Sequence, residues 1–240
     1  MLSPLLIIGV GGSGGKTIRA MKQALRRQLD AHRYEGDLPA AWQFLQFDTT
    51  HDGIDFPAPM LSKNEIHLVV SKGDEFSDVR RSLENLGPKS DQQKMLAGWG
   101  IPHSSISIEK GAGQQRGIGR QVGIADAKGI LSALQTAIGK TNTPTAMSEL
   151  ARMADALQCD GVSNSPNALV IASLAGGSGA GMFIDIAELL KRATSDNWAS
   201  EAMSILYTSE VFEGLGDAGA DLTFELTGNP QALNDALAVT

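Results

Sequence analysis

The stretch that decides the fold is Asn167-Ala168-Leu169-Val170-Ile171-Ala172-Ser173-Leu174-Ala175-Gly176-Gly177-Ser178-Gly179-Ala180-Gly181. Its first eight residues are mostly apolar, with β-branched Val170 and Ile171 at the centre, and read as a strand buried on both faces. The next seven are a glycine-rich turn. Beyond it Phe183, Ile186, Leu189 and Leu190 recur at helical spacing. A buried strand that turns through glycines into a helix is the unit from which parallel α/β sheets are built. Glycines at such a junction let the backbone approach an anion without Cβ hindrance. The helix start behind them offers N–H groups and a partial positive charge. The turn therefore reads as a phosphate cradle.

The same unit opens the chain. Leu5-Leu6-Ile7-Ile8 is a short apolar run that leads into Gly9-Val10-Gly11-Gly12-Ser13-Gly14-Gly15-Lys16-Thr17, and Ile18, Met21, Leu25 and Leu29 follow at helical spacing. Residues 42–47, 66–70 and 203–207 read as further strands. Residues 74–86, 91–97, 122–138 and 145–158 read as helices, and the basic set Lys22, Arg26 and Arg27 as a solvated helix face. Strands alternating with helices predict a three-layer α/β/α architecture around a mainly parallel sheet, with ligands at the carboxyl ends of the strands. Residues 231–240 read as a helix still under way, so the expectation is one domain over residues 1–240, cut early in a helix that leads onward.

Composition narrows the function. The chain has 240 residues, 20 Lys and Arg against 27 Asp and Glu, and a formal charge of −7. That balance argues against a general nucleic-acid or anionic-membrane binder. A single cysteine, Cys159, excludes a disulfide scaffold and a Cys-based zinc site. His32, His51, His67 and His103 have no metal-ligand spacing, and His67 reads as a satisfied core or edge residue; no protein metal site is predicted. No apolar run approaches the roughly 20 residues that cross a bilayer, and the N-terminus lacks a basic n-region. A cytoplasmic protein is the expectation.

Several readings compete for the first glycine cluster. Gly9, Gly11 and Gly14 satisfy G-x-G-x-x-G, the dinucleotide fingerprint of an NAD(P)-dependent oxidoreductase. That reading wants an acidic residue about 20 positions on, whereas Asp48 lies 34 beyond Gly14. Gly15-Lys16-Thr17 resembles the end of a P-loop ATPase motif, with Val10 where its first glycine belongs. A bare strand–helix turn and a non-catalytic scaffold holding a nucleotide for stability are the remaining readings. None of these explains a second glycine loop on the same sheet, which suggests one polyphosphate gripped from two sides.

Ala175-Gly176-Gly177-Ser178-Gly179-Ala180-Gly181 resembles the tubulin/FtsZ signature [SAG]-G-G-T-G-[SA]-G, with the hydroxyl kept at Ser178. The likeness continues in order along the chain. The first cluster has the length and position of that family's first phosphate loop, with Lys16 in place of its usual Asn. Phe47-Asp48-Thr49 stands where the second loop has T-D-A. Gly111-Ala112-Gly113-Gln114-Gln115-Arg116-Gly117-Ile118-Gly119-Arg120 is similar to the third loop, G-A-G-x-N-P-E-V-G-R, in length, glycines and arginine. Val211-Phe212-Glu213-Gly214 matches the F-E-G of the fifth. The third-loop variant, with Trp99 and Pro102 before it, is most similar to the divergent bacterial tubulin-like proteins.

The resemblance implies a tubulin-type domain that binds GTP or GDP, with Mg²⁺ held mainly through phosphates and water and Asp48 as a helper. It places Gly11, Gly12, Ser13 and Lys16 at the first phosphate loop. Gly176, Gly177, Ser178, Gly179, Ala180 and Gly181 wrap the phosphates, and Ala112 and Gly113 lie near the γ-phosphate. Glu213 takes the ribose, and Asn229, with Asn234 as a second late candidate, is the base contact. It further implies head-to-tail self-association into cytoskeletal filaments. Hydrolysis then needs acidic residues supplied by the next subunit from a loop that is not in this sequence. No residue of the chain is assigned a catalytic role.

Overall fold

The computed structural model describes residues 1–50, 61–69, 75–96, 108, 111–112, 115–194 and 202–212. Five parallel strands form its sheet: β1 (Leu5–Val10), β2 (Trp42–Asp48), β3 (Ile66–Leu68), β4 (Asn167–Ser173) and β5 (Ala202–Tyr207). Their order across the sheet is β3-β2-β1-β4-β5. The central strand β1 lies between its neighbours in register, Leu5 beside both Trp42 and Asn167 and Gly9 beside both Gln46 and Ile171. That two-sided burial is why β1 and β4 are almost unbroken apolar runs.

Side-chain alternation sends successive residues to opposite faces. Ile7, Phe44 and Ile171 face helix α1 (Gly11–Ala31), where Ile18 joins them. Leu6, Ile8, Val10, Phe47, Val170 and Ala172 face the other layer. There they meet α4 (Arg116–Ala125), α5 (Ala127–Thr141) and α7 (Gly177–Ala193), with α2 (Phe76–Glu84) contributing Phe76, Val79 and Leu83. Helix α3 (Asp91–Leu96) lies against α4. Helix α6 (Pro144–Ala156), capped by the Thr143 hydroxyl accepting from the Ala146 N–H at 3.2 Å, packs Ala146, Leu150 and Met153 against Leu29 and Ala41, near the amino ends of the strands. The result is the expected α/β/α sandwich.

Two expectations are corrected. The helix read over 122–138 is two helices. Asp126 breaks it with non-helical backbone (φ −99°, ψ 20°), and its carboxylate is drawn to His67 on the edge strand β3, Oδ2 to Nε2 at 2.6 Å. Apolar spacing resumes beyond that break at Ile130 and Leu134, so the pattern alone does not mark it. Lys22 does not belong to a solvated face either. Its ammonium donates to both oxygens of Glu65 at 2.6 and 2.7 Å, and the two side chains are only 12% and 18% exposed. No helix among the described residues is long and apolar enough to cross a membrane.

Candidate functional site

From β1 the chain moves outward to β2 and β3 on one side, and from β4 to β5 on the other. The carboxyl ends of β1 and β4 therefore flank the point where the strand order reverses, the crevice in which open parallel sheets bind ligands. Both glycine clusters sit there. Helix α1 starts at Gly11, the residue after β1, and α7 starts at Gly177, just beyond β4. Neither helix start carries a side-chain cap or an acidic residue in its first turn. Two helix N-termini, each with first-turn N–H groups unclaimed by a cap, thus converge on one crevice.

The glycines of the clusters divide by what a side chain would meet. Gly11 has φ +70°, and a Cβ there would come within 2.6 Å of the Gly179 nitrogen. Only glycine lets the two turns touch. A Cβ on Gly15 would strike the Gln46 amide. Gly177 and Gly181 of α7 face α4: their Cβ positions lie 2.8 Å from Ala112 Cβ and 2.5 Å from backbone atoms of Arg116 and Arg120, and Gly119 of α4 abuts Gly177 in return. These glycines are explained by chain packing. Gly12 and Gly176 are not, because among the described residues a Cβ at either would meet nothing within 4 Å. They border open space, one in each turn.

Helix α4 is tied to α7 by more than close approach. Arg120 lies with its Nε 3.2 Å from Asp185 Oδ2 and its Nη2 3.3 Å from Oδ1, and also donates to the Met95 carbonyl at 3.2 Å. Burial raises the Asp185 pKa from 3.8 to about 6, against the pull of the Arg120 charge. Arg116 donates to the Leu174 carbonyl at 3.2 Å, beside the second turn.

A chain of buried polar groups runs beneath the turns on the α1 side. Arg19, 7% exposed, donates through Nη2 to Gln46 Oε1 at 2.8 Å. Gln46 Nε2 donates to Asp48 Oδ2 at 3.3 Å, and the Thr49 N–H donates to Asp48 Oδ1 at 2.8 Å. Thr49 Oγ1 then lies 2.8 Å from Ser178 Oγ. Desolvation raises the Asp48 pKa to about 6, partly offset by these hydrogen bonds and by Arg19. A dinucleotide fold uses an acid at the end of its second strand to hold a ribose. Asp48 stands at that place, but it is buried and its two oxygens accept from Gln46 and Thr49.

Of the residues singled out in the sequence, Gly11, Gly12, Ser13, Gly176, Gly177, Ser178, Gly179, Ala180 and Gly181 come together at the two helix starts. Ala112 joins them through Gly177. Asp48 lies below the turns. Lys16 is exposed in the second turn of α1. Gly113, Glu213, Asn229 and Asn234 lie outside the described residues. Sequence reasoning misses Thr49 as a site residue, although its hydroxyl reaches Ser178 and lies 4.0 Å from the Cβ position of Gly111, where the third loop begins. Its signal in sequence is its place in Phe47-Asp48-Thr49, the stretch that resembles the second loop, where Thr49 itself was given no role. Among the described residues no three His, Cys, Asp or Glu side chains are grouped to hold a metal.

Glycine-lined helix starts at the reversal point of a parallel sheet define a nucleotide-binding type of α/β domain. Residues 6–223 match the tubulin-like family, and the chain belongs to it. Among solved structures it is similar to CetZ1 from Haloferax volcanii, described as a GDP bound monomer, at 16% identity and a TM-score of 0.43, over 94% of this chain and 57% of that one. It is also similar to CetZ2 from the same organism, described as a GTPγS bound protofilament, at 18% identity and a TM-score of 0.39, over 99% and 58%. The chain thus spans less than two thirds of the length of either. No curated protein was found to match it.

Proposed function

We propose that this chain is the guanine-nucleotide-binding part of a tubulin-like GTPase that assembles head to tail in the cytoplasm. The observation that carries the reading is the pair of uncapped helix starts, α1 and α7, which touch at Gly11 and Gly179 while no described atom lies within 4 Å of the Cβ positions of Gly12 and Gly176. A phosphate chain there meets backbone N–H groups from two helices and two partial positive charges. Membership of the tubulin-like family supports guanine as the base. In this reading Gly11, Gly12 and Ser13 hold one side of the phosphates. Gly176 to Gly181, with the Ser178 hydroxyl, hold the other, and Ala112 and Gly113 lie toward the terminal phosphate. Glu213 and Asn229 take the ribose and base.

We propose that Mg²⁺ is carried on the nucleotide. The described residues offer no carboxylate cage, and Mg²⁺ is commonly held by phosphates and water with one or two carboxylates. Asp48, buried below the turns with both oxygens accepting from Gln46 and Thr49, is proposed to assist it only indirectly. When bound, the ion neutralises phosphate charge that these dipoles alone do not.

The test is a titration with GTP, GDP, ATP and NAD, with Mg²⁺ and with EDTA, on the chain and on Gly12→Ala. Selective binding of GTP and GDP, weakened by at least tenfold in Gly12→Ala at unchanged melting temperature, is expected. Preference for NAD or ATP, or undiminished binding by the variant, would overturn the reading.

A further inference from the structure

The buried chain has a direction from Arg19 through Gln46 to Asp48, which also accepts the Thr49 backbone N–H and so fixes where the Thr49 hydroxyl sits. An arginine only donates hydrogen bonds. Its bond to Gln46 Oε1 therefore fixes which way the Gln46 amide faces, and Nε2 is left to donate to Asp48. Asp48 in turn accepts the Thr49 backbone N–H, which anchors Thr49 at the end of β2. Thr49 is 1% exposed, and its hydroxyl lies against Ser178. A buried hydroxyl proton needs an acceptor, and Ser178 Oγ, 2.8 Å away, supplies one. If Thr49 donates, Ser178 accepts there and its own proton is directed elsewhere. Ser178 is only half-buried, in the first turn of α7 beside the space that Gly176 leaves open.

The first cluster is shaped for this chain as well. Gln46 reaches Asp48 only because Gly15 has no Cβ in its way. Gln46 and Asp48 lie two residues apart on one face of β2, so strand alternation aims both at α1. A buried guanidinium and carboxylate are expensive to desolvate, and apolar residues of similar volume are often as stable or more so. Their directionality supplies what apolar packing cannot.

We propose that Thr49 is a positioning residue of the nucleotide site: oriented by the relay Arg19–Gln46–Asp48, its hydroxyl donates to Ser178 and leaves the Ser178 proton to be given to a phosphate oxygen. This rests on the nucleotide reading above. It makes Gln46, which lies beneath the loops, matter to phosphate affinity.

The probe is GDP, titrated into the chain and its variants, with amide hydrogen exchange of the nucleotide-free proteins as a second readout. Thr49→Val keeps volume and removes the hydroxyl, and is expected to weaken GDP about tenfold, the scale of one hydrogen bond to a charged group. Thr49→Ser should restore binding to within about twofold of wild type. Gln46→Met should weaken GDP similarly and speed exchange at residues 177–179. The double variant Gln46→Met with Thr49→Val should bind no worse than Thr49→Val alone, because one path is cut twice. Thr49→Val binding as wild type does, or additive losses in the double variant, would overturn the relay. If Gln46→Met fails to fold, the Thr49→Val and Thr49→Ser pair decides. If wild type binds no nucleotide, the functional reading fails, and exchange decides the relay: faster exchange at 177–179 in Thr49→Val upholds it, unchanged exchange refutes it.

Discussion

Adding one methyl group at two helix glycines should move stability in opposite directions. Gly181 of α7 faces α4, where a Cβ would lie 2.5 Å from the Arg116 carbonyl oxygen and the Arg120 nitrogen. Ordinary contact begins at 3.4 Å, and both neighbours are backbone atoms that cannot swing aside. Gly181→Ala must push α7 off α4. Overpacking of this kind costs about 1–3 kcal/mol or more, while alanine recovers up to about 1 kcal/mol of helix propensity. The net expectation is a loss of about 1–2 kcal/mol, or about 2–8 °C in Tm for a domain of this size. Gly139 of α5 is the control, exposed and with nothing within 4 Å of its Cβ position. Gly139→Ala should gain about 0.5 kcal/mol from propensity alone, reduced by its place near the helix end. Urea unfolding with both variants side by side measures the contrast. A Gly181→Ala protein as stable as wild type would show that α4 and α7 are not in backbone contact, and would refute close helix packing as the reason for that glycine.

Three further outcomes are expected. Asp48 and Asp185 hold folded-state pKa values of about 6 against 3.8. The folded protein therefore binds more protons between those values, and each group contributes stability that is complete below pH 3.8 and lost as pH rises through 6, on the order of 3 kcal/mol; Asp185→Asn should flatten the urea midpoint against pH across that window, and an unchanged slope would contradict it. Lys22→Met strands Glu65 without its ammonium and should cost about 1–2 kcal/mol, whereas Lys22→Met with Glu65→Leu should recover most of that, as read from thermal melts; an undamaged single variant would mean the pair contributes nothing. Under the proposed function, the monomeric chain should release phosphate from GTP far more slowly than a head-to-tail assembly does, and assembly-like rates from the monomer would show that a hydrolytic group lies within these 240 residues.

Much of the fold was legible because it is written in short-range pattern. The apolar runs at Leu5 and Asn167 predicted β1 and β4 near their observed bounds, and the 3.6-residue spacing predicted the bodies of α1 and α7, which start earlier than read, inside the glycine clusters at Gly11 and Gly177. The order of five glycine-bearing and loop motifs pointed to the family to which residues 6–223 belong. The break at Asp126 was not legible, since it depends on His67, 59 positions away in sequence. Nor was the burial of Lys22, which depends on where Glu65 lands beside α1.

The glycines show where the boundary falls. Local sequence determined that both strand–helix junctions are glycine turns, because glycine content, apolar runs and helical period are properties of neighbouring residues. Which glycine serves which purpose was decided only in three dimensions. Gly15 admits a glutamine from β2, Gly181 admits the backbone of α4, Gly11 admits the other turn, and Gly12 and Gly176 meet no atom of the described residues. The strand order that places the reversal point between β1 and β4, and the hydroxyl contact between Thr49 and Ser178 across 129 positions, are long-range outcomes of packing. A residue's type records what it can tolerate, and only the folded chain supplies what comes to meet it.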